Sequence, residues 1–449
     1  MTDLGRKKRL SARAASAITA SVFLMIFSAI ELAPLWINRN DHSPDRSQNK
    51  CDPILNQIQD PRKTIRPNDD LKIIRLTNSG EFVSRCDLTN VLYELNWDKK
   101  RPAWAFGPSS DDQAPHLPKL ALLYIHGWKH SADKDDDDLK HFSRLVENLR
   151  DKYRDHKRVV GIYVGWNASA DFWSWASFLE NTTFWVKKNN ADRIAQSAAV
   201  TMIVSAVGSA TKKANNPKDQ FIAIGHSFGA RLLYSATAQS LVTAAQQAHP
   251  GYPTGTYSRI EGVANAVILL NPAFEASRYS IINDFTRNEE RFLASQPPLL
   301  ITVSSRGDLA TRDAFPLGQW LGLARSEREK TTLGNYRPFV THALERSSKE
   351  KCAHVDGDGA FENNFSANFC LRRISPQQES ITNYKGGGSI QYNNPFIVAQ
   401  TDETIIKDHN DIWNDDFTSW MTEIIQGLEQ RHELVPGAQP ESDAPSISR

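Results

Sequence analysis

Gly225-His226-Ser227-Phe228-Gly229 carries the sharpest chemical signal in the chain. It follows an apolar run, Phe221 to Ile224, and precedes an Ala-rich stretch from Ala230 to Ala248. A serine in a G-x-S-x-G pattern between strand and helix sits on a steep turn that lifts its hydroxyl above the sheet, where it can attack an acyl carbon. Gly225 and Gly229 lack the Cβ atoms that would clash in such a turn. Ser227 is expected to hold a strained backbone conformation, at a cost of about 1–3 kcal/mol. The helix behind it brings positive dipole under the oxygen that turns negative. The same turn aims His226 away from the reaction, into packing.

A second piece lies upstream. Ile125-His126-Gly127-Trp128 closes another apolar run, and the glycine lets the backbone curl so that a following amide points at the serine. The amides of Trp128 and Phe228 are the candidate oxyanion donors, and losing one such donor costs roughly 3–4 kcal/mol of transition-state stabilisation. Lys129 and His130 follow this turn, where they would shape the mouth of a pocket.

The His126-Gly127-Trp128 segment, a strand ending in Gly165-Trp166 and the GHSFGA segment together resemble the α/β-hydrolase superfamily. More narrowly they resemble bacterial serine-esterase-like members of unassigned substrate. The resemblance covers roughly residues 118–275, with a weaker extension to 425. It implies hydrolysis of a carboxylic ester through an acyl-enzyme, with no metal or organic cofactor, by residues ordered serine, acid, histidine along the chain. The acid it implies is Asp308, shortly after the run Leu299 to Val303; Asp313 in the same loop and Glu275 after the preceding run are the alternatives. The base it implies is His409, in a segment read as strand, histidine, then a helix from about Asn414 to Gln430, with His342 and His354 in competition. The 101 residues between Asp308 and His409 exceed what one helix needs, a departure from a minimal hydrolase that bears on the acid more than on the nucleophile. Lipase, thioesterase, acyltransferase and peptidase chemistry share this machinery. A catalytically silent, membrane-anchored binding module on the same fold is the reading from a different class, and a full set of triad candidates weighs against it. An envelope structural protein would explain an anchor and leave the serine turn unexplained.

These residues need a scaffold, and the hydrophobic pattern supplies one. Short, nearly all-apolar runs at 120–125, 159–164, 221–224, 266–270 and 299–303 have the character of strands buried on both faces. Between them, apolar residues at Leu139, Phe142, Leu145, Val146 and Leu149 mark one helix face, and 191–214 and 230–248 read as Ala-rich helices. The alternation predicts a doubly wound α/β sheet with sites at the carboxyl ends of the strands, and the resemblance implies that it is of the α/β-hydrolase type, a mostly parallel central sheet with helices on both faces. Residues 316–395 interrupt it and read as an insertion before the last strand. Asp356 to Gly359 resembles a calcium loop but lacks the closing Glu, so it reads as a solvated loop. Asp135 to Asp138 reads as solvated capping of the next helix. Residues 71–75 and 81–85 flank a turn and suggest a hairpin. Phe172 to Phe178, with Phe184 and Trp185, is an aromatic stretch on the active-site side, suited to lining an acyl pocket or cap, to core packing or to membrane contact.

The domain expected from this pattern is 71–434, with a Pro/Ser-rich disordered tail at 435–449 and a linker at 38–70. Residues 1–37 read as a signal anchor, or else a signal peptide: Arg6, Lys7, Lys8, Arg9 and Arg13 precede an uncharged run from Ala14 to Ile30. That places the domain outside the cytoplasm, periplasmic in a bacterium, tethered to the inner membrane through the N-terminal helix. Cys51, Cys86, Cys352 and Cys370 all follow that segment, which fits two disulfides, Cys51–Cys86 and Cys352–Cys370 preferred among three connectivities. No C-x-x-C spacing suggests zinc. With 40% hydrophobic residues the 449-residue chain can bury a large core. Its 53 Lys and Arg nearly balance its 52 Asp and Glu, which leaves no electrostatic case for nucleic acid; the partner that the resemblance implies is a small or lipid-like acyl ester.

Overall fold

The computed structural model describes residues 71–95, 117–168, 180–212, 216, 218–247, 260–286, 292, 296–316, 326–347, 368–374 and 394–433. The expected anchor, linker and tail, the aromatic stretch 172–178, the side chains of Phe184 and Trp185 and the loop 356–359 lie outside the described residues.

Nine strands form one sheet. In chain order they are β1 (Lys72–Leu76), β2 (Lys119–Ile125), β3 (Arg158–Trp166), β4 (Gln220–His226), β5 (Ala266–Leu270), β6 (Leu300–Ser305), β7 (His342–Arg346), β8 (Phe369–Arg373) and β9 (Phe396–Thr401). Their spatial order is β1-β3-β2-β4-β5-β6-β9-β7-β8. Every described pairing is parallel except β7 with β8. The helices are α1 (Arg85–Leu95), α2 (Asp137–Tyr153), α3 (Glu180–Gln196), α4 (Ala199–Lys212), α5 (Phe228–Gln247), α6 (Ser280–Thr286), α7 (Glu327–Lys330) and α8 (Asp415–Glu433).

The continuous apolar runs are explained by covering on both sides. Along β2, Ala121, Leu123 and Ile125 join a core with α1, α4 and α5, while Leu120, Leu122 and Tyr124 join a second core with α2 and α8. α2 begins where Asp136 accepts the Leu139 amide, and buries the five-residue apolar face legible in its sequence. α8 buries Phe417, Trp420, Met421, Ile424, Ile425 and Leu428. The fold is thus the α/β architecture expected, mostly parallel with helices on both faces. The insertion supplies the hairpin β7–β8, which stands between β6 and β9 in sequence.

Three local expectations differ. The segment after β1 does not return as a strand. A single bridge, Leu76 to Phe82, is followed by α1, and β1 lies parallel to β3 with Ile74 and Leu76 in the core. The stretch 191–214 is not one helix: Ala198 adopts φ 61° and ends α3, and α4 starts afresh. The strand before His409 is Phe396–Thr401, and the residues just ahead of His409 that read as a strand instead begin in a turn at 403–405. Among the described residues no single helix is long and apolar enough to cross a membrane. The pair Lys188–Gln196 and Ala199–Thr211 passes only together and is bent by 55°.

Among the described residues no cysteine is free, and both Cys86 and Cys370 are disulfide-bonded. Cys86 lies on α1 beside β1, and Cys370 lies on β8 at the other edge of the sheet. Eight strand spacings of about 4.8 Å separate those edges by roughly 38 Å, so the two are not joined to each other. Cys51 and Cys352, the partners expected from the sequence, lie outside the described residues.

Candidate active site

Ser227 stands between the end of β4 and the start of α5 with φ 54°, a left-handed conformation that a serine adopts only under constraint. Its amide donates to the Leu270 carbonyl (3.0 Å), and its own carbonyl accepts from the amides of Arg231 (3.2 Å) and Ala273 (3.1 Å). The turn leaves no room for side chains: a Cβ on Gly229 would lie 2.1 Å from the Ile125 carbonyl oxygen, and one on Gly225 would lie 2.8 Å from Ala230 Cα.

His409 lies in the loop between β9 and α8. Its Nε2 is 2.7 Å from Ser227 Oγ, and its Nδ1 is 2.7 Å from Asp308 Oδ2. Asp308 follows the end of β6 and is fully buried. Its carboxylate also accepts the Thr311 amide (3.1 Å) and hydroxyl (2.6 Å). Burial alone would raise its pKa, but His409 and the Thr311 donors outweigh that and hold it below 3.8. An ionised Asp308 accepts the Nδ1 proton of His409, which leaves Nε2 bare to take the serine's proton. All three residues sit at carboxyl ends of parallel strands, where α/β sheets place their sites.

The alternatives are occupied elsewhere. Asp313 is exposed and paired with Arg312. Glu275 faces Arg231, Lys188 and Arg278. Burial would raise its pKa, and these three cations bring it down to about 2. His342 opens β7 and bonds the Thr341 hydroxyl. His354 is outside the described residues.

The turn from His126 to His130 packs directly on Ser227: a Cβ on Gly127 would lie 2.8 Å from Ser227 Cβ. Lys129 takes φ 72°, its amide donates to the Ala168 carbonyl, and its ammonium lies over the Trp128 ring. His126 anchors the turn. Its Nε2 accepts the Trp166 amide (2.9 Å), its Nδ1–H donates to the Gly127 carbonyl (2.8 Å), and its own carbonyl accepts from the Trp166 indole (3.1 Å). Burial lowers its pKa to about 4, so the ring is neutral. Phe228, the other candidate oxyanion residue, is the first residue of α5, where helix amides point toward the N-terminal end.

Sequence reasoning missed three features. Asp138 is buried rather than solvated, and accepts from the Tyr124 hydroxyl and the Trp413 indole, each at 2.7 Å. His130 lies against Asp136 and Asp138. Burial lowers its pKa, but the two carboxylates outweigh this and raise it. Asn271, at the end of β5, donates to the His409 carbonyl (3.0 Å) and accepts the Ser305 amide (2.9 Å); His226 Nε2–H reaches the same carbonyl at 2.9 Å. The one signal in the sequence was a polar residue placed at the carboxyl end of an apolar run. Among the described residues no group of three His, Cys, Asp or Glu side chains is arranged to hold a metal.

No family model matches the chain, and no curated protein matches it. Among solved structures, the phospholipase PlaB from Legionella pneumophila, in complex with thio-NAD, aligns with a TM-score of 0.25 at 10% identity. The alignment covers 70% of this chain and 63% of that one.

Proposed function

We propose that the protein is a serine hydrolase that cleaves carboxylic esters through an acyl-enzyme. One observation carries the reading: an unbroken line of hydrogen bonds from Ser227 Oγ through both nitrogens of His409 to a buried, ionised Asp308. Ser227 Oγ bonds to the ester carbonyl carbon while its proton passes to His409 Nε2. Asp308 stabilises the imidazolium. The amides of Trp128 and Phe228 hold the oxygen that gains the charge. The carbon–oxygen bond then breaks, and the departing alkoxide takes the proton from His409. Water repeats the sequence on the acyl-serine, releasing the acid and restoring the hydroxyl.

A fluorophosphonate probe is expected to label the protein, and Ser227→Ala to abolish labelling. An unlabelled wild type would sink the reading and favour a silent binding module. Turnover of p-nitrophenyl esters against matched thioesters and acyl acceptors sorts esterase from thioesterase and acyltransferase. We also propose, from the basic flank and uncharged run at the N-terminus and the four cysteines that follow, that the domain lies outside the cytoplasm on an N-terminal anchor, with Cys51–Cys86 and Cys352–Cys370 as the bridges. Membrane fractionation of the full chain and non-reducing peptide mapping test those two statements.

A further inference from the structure

We propose that His226 and Asn271 are positioning residues for the base: together they hold the main-chain carbonyl of His409 and thereby set where its imidazole stands between Ser227 and Asp308. The proposal rests on the serine-hydrolase reading above.

The two donors come from different strand ends, β4 and β5, and converge on one oxygen, at 2.9 Å from His226 Nε2 and 3.0 Å from Asn271 Nδ2. A carbonyl has two lone pairs, and these two bonds use both. The acceptor belongs to the base residue itself, so its Cα is fixed from the main chain while its ring is fixed by Ser227 and Asp308. Asn271 does more than hold one atom. Its Oδ1 accepts the amide of Ser305, the last residue of β6, three before Asp308, and the Ser305 hydroxyl in turn donates to the Ile406 carbonyl. One side-chain amide thus couples the acid-bearing strand to the base-bearing loop. Asn271 adopts φ 41°, a conformation that asparagine tolerates better than most residues.

His226 is the less economical choice for mere packing. It is buried, and among the described residues its Nδ1 has no hydrogen-bond partner. Such an unmatched atom costs roughly 1–3 kcal/mol, which an aliphatic side chain would avoid. What the ring gives in return is a donor at Nε2 without a charge. Burial first, and then the neighbouring His409 and His130 rings, lower its pKa to about 3, against the opposing pull of Asp138 and the bond to the His409 carbonyl. The two imidazole centroids are 5.1 Å apart. A charged donor at that distance would oppose the imidazolium that His409 must become; a neutral one does not.

The test uses the full chain and four variants: His226→Leu, His226→Gln, Asn271→Ala and Asn271→Asp. A glutamine amide reaches the position of Nε2, and an aspartate keeps the Ser305 contact but offers the His409 carbonyl no donor. Misplacing a catalytic group by about 1 Å can cost on the order of 100-fold in rate, so His226→Leu, Asn271→Ala and Asn271→Asp should lower fluorophosphonate labelling and ester kcat by about 10- to 100-fold, with KM little changed. His226→Gln should restore most of the loss. The downfield NMR signal of the proton between His409 and Asp308 should shift or broaden in the impaired variants and return in His226→Gln. If folded Asn271→Asp and His226→Leu keep the wild-type rate, pH profile and proton signal, the proposal fails. Should His226→Leu not fold, the isosteric Asn271→Asp decides alone. An unlabelled wild type would defeat the hydrolase reading instead, and the NMR signal would still report whether these residues fix the His409–Asp308 bond.

Discussion

At the scale of single residues, the proposed chemistry depends on one proton being on the right nitrogen. Asp308→Asn keeps the shape of the acid but removes its charge, so the side chain no longer selects the tautomer of His409 whose Nε2 is bare. Ester kcat should fall by about 10⁴-fold while circular dichroism stays unchanged. An activity within tenfold of wild type would mean that Asp308 serves only to hold its loop. Ser227 was legible from its own motif between an apolar run and a helix, and Asp308 from the resemblance together with the run before it, whereas His409 came from the resemblance alone, since the strand that leads to it is Phe396–Thr401 rather than the stretch just before it. His226 and Asn271 were not legible in that way. They touch a main-chain oxygen, and no side-chain pattern in the sequence marks which carbonyl will need a donor. Asp138 was misread for a related reason. Its acidic neighbours suggested water, but its partners Tyr124 and Trp413 arrive from 14 and 275 residues away.

Between elements, close approach does the positioning. A Cβ on Gly307, next to Asp308, would lie 2.3 Å from the Lys407 carbonyl oxygen in the base loop. Gly307→Ala should therefore push the two loops apart, costing about 1–3 kcal/mol in a urea titration and slowing probe labelling more than that loss of stability explains. Arg231 is buried one turn into α5 and binds Asp192 of α3 and Glu275 after β5. Replacing it with alanine removes the most buried of the cations that face those carboxylates, and should destabilise by about 3–5 kcal/mol in the same measurement. The strands were read from sequence more securely than their breaks and joins. The end of α3 at Ala198 carries no glycine to announce it, and β7 pairs with both β8 and β9, partners more than 20 residues away that no local pattern marks.

For the molecule as a whole, two buried neutral histidines link folding to acidity. His126 and His226 have folded pKa values of about 4 and about 3, both below the ordinary 6.5. The unfolded chain therefore binds more protons than the native one below pH 6.5. Their stabilising contribution is complete above that value and is lost as pH falls, by up to about 1.4 kcal/mol per pH unit for each ring. His130 has the opposite sign: its raised pKa stabilises below 6.5 and that benefit fades as pH rises through its folded value. Urea titrations at pH 7 and pH 5.5 should show the net loss on acidification, with a shallower dependence in His226→Gln. Equal stability at the two values would contradict neutral burial of these rings.

The chain order of the three groups has a temporal consequence. A ribosome releases the nucleophile at 227 well before the acid at 308, and the imidazole at 409 later still, just ahead of the helix that closes the second core. A polypeptide stalled anywhere between 308 and 409 holds Ser227 and Asp308 but lacks the histidine that bonds to both. On the proposed hydrolase reading, Ser227 would gain its base only after residue 409 has been made, so reactivity would follow the docking of α8 rather than precede it.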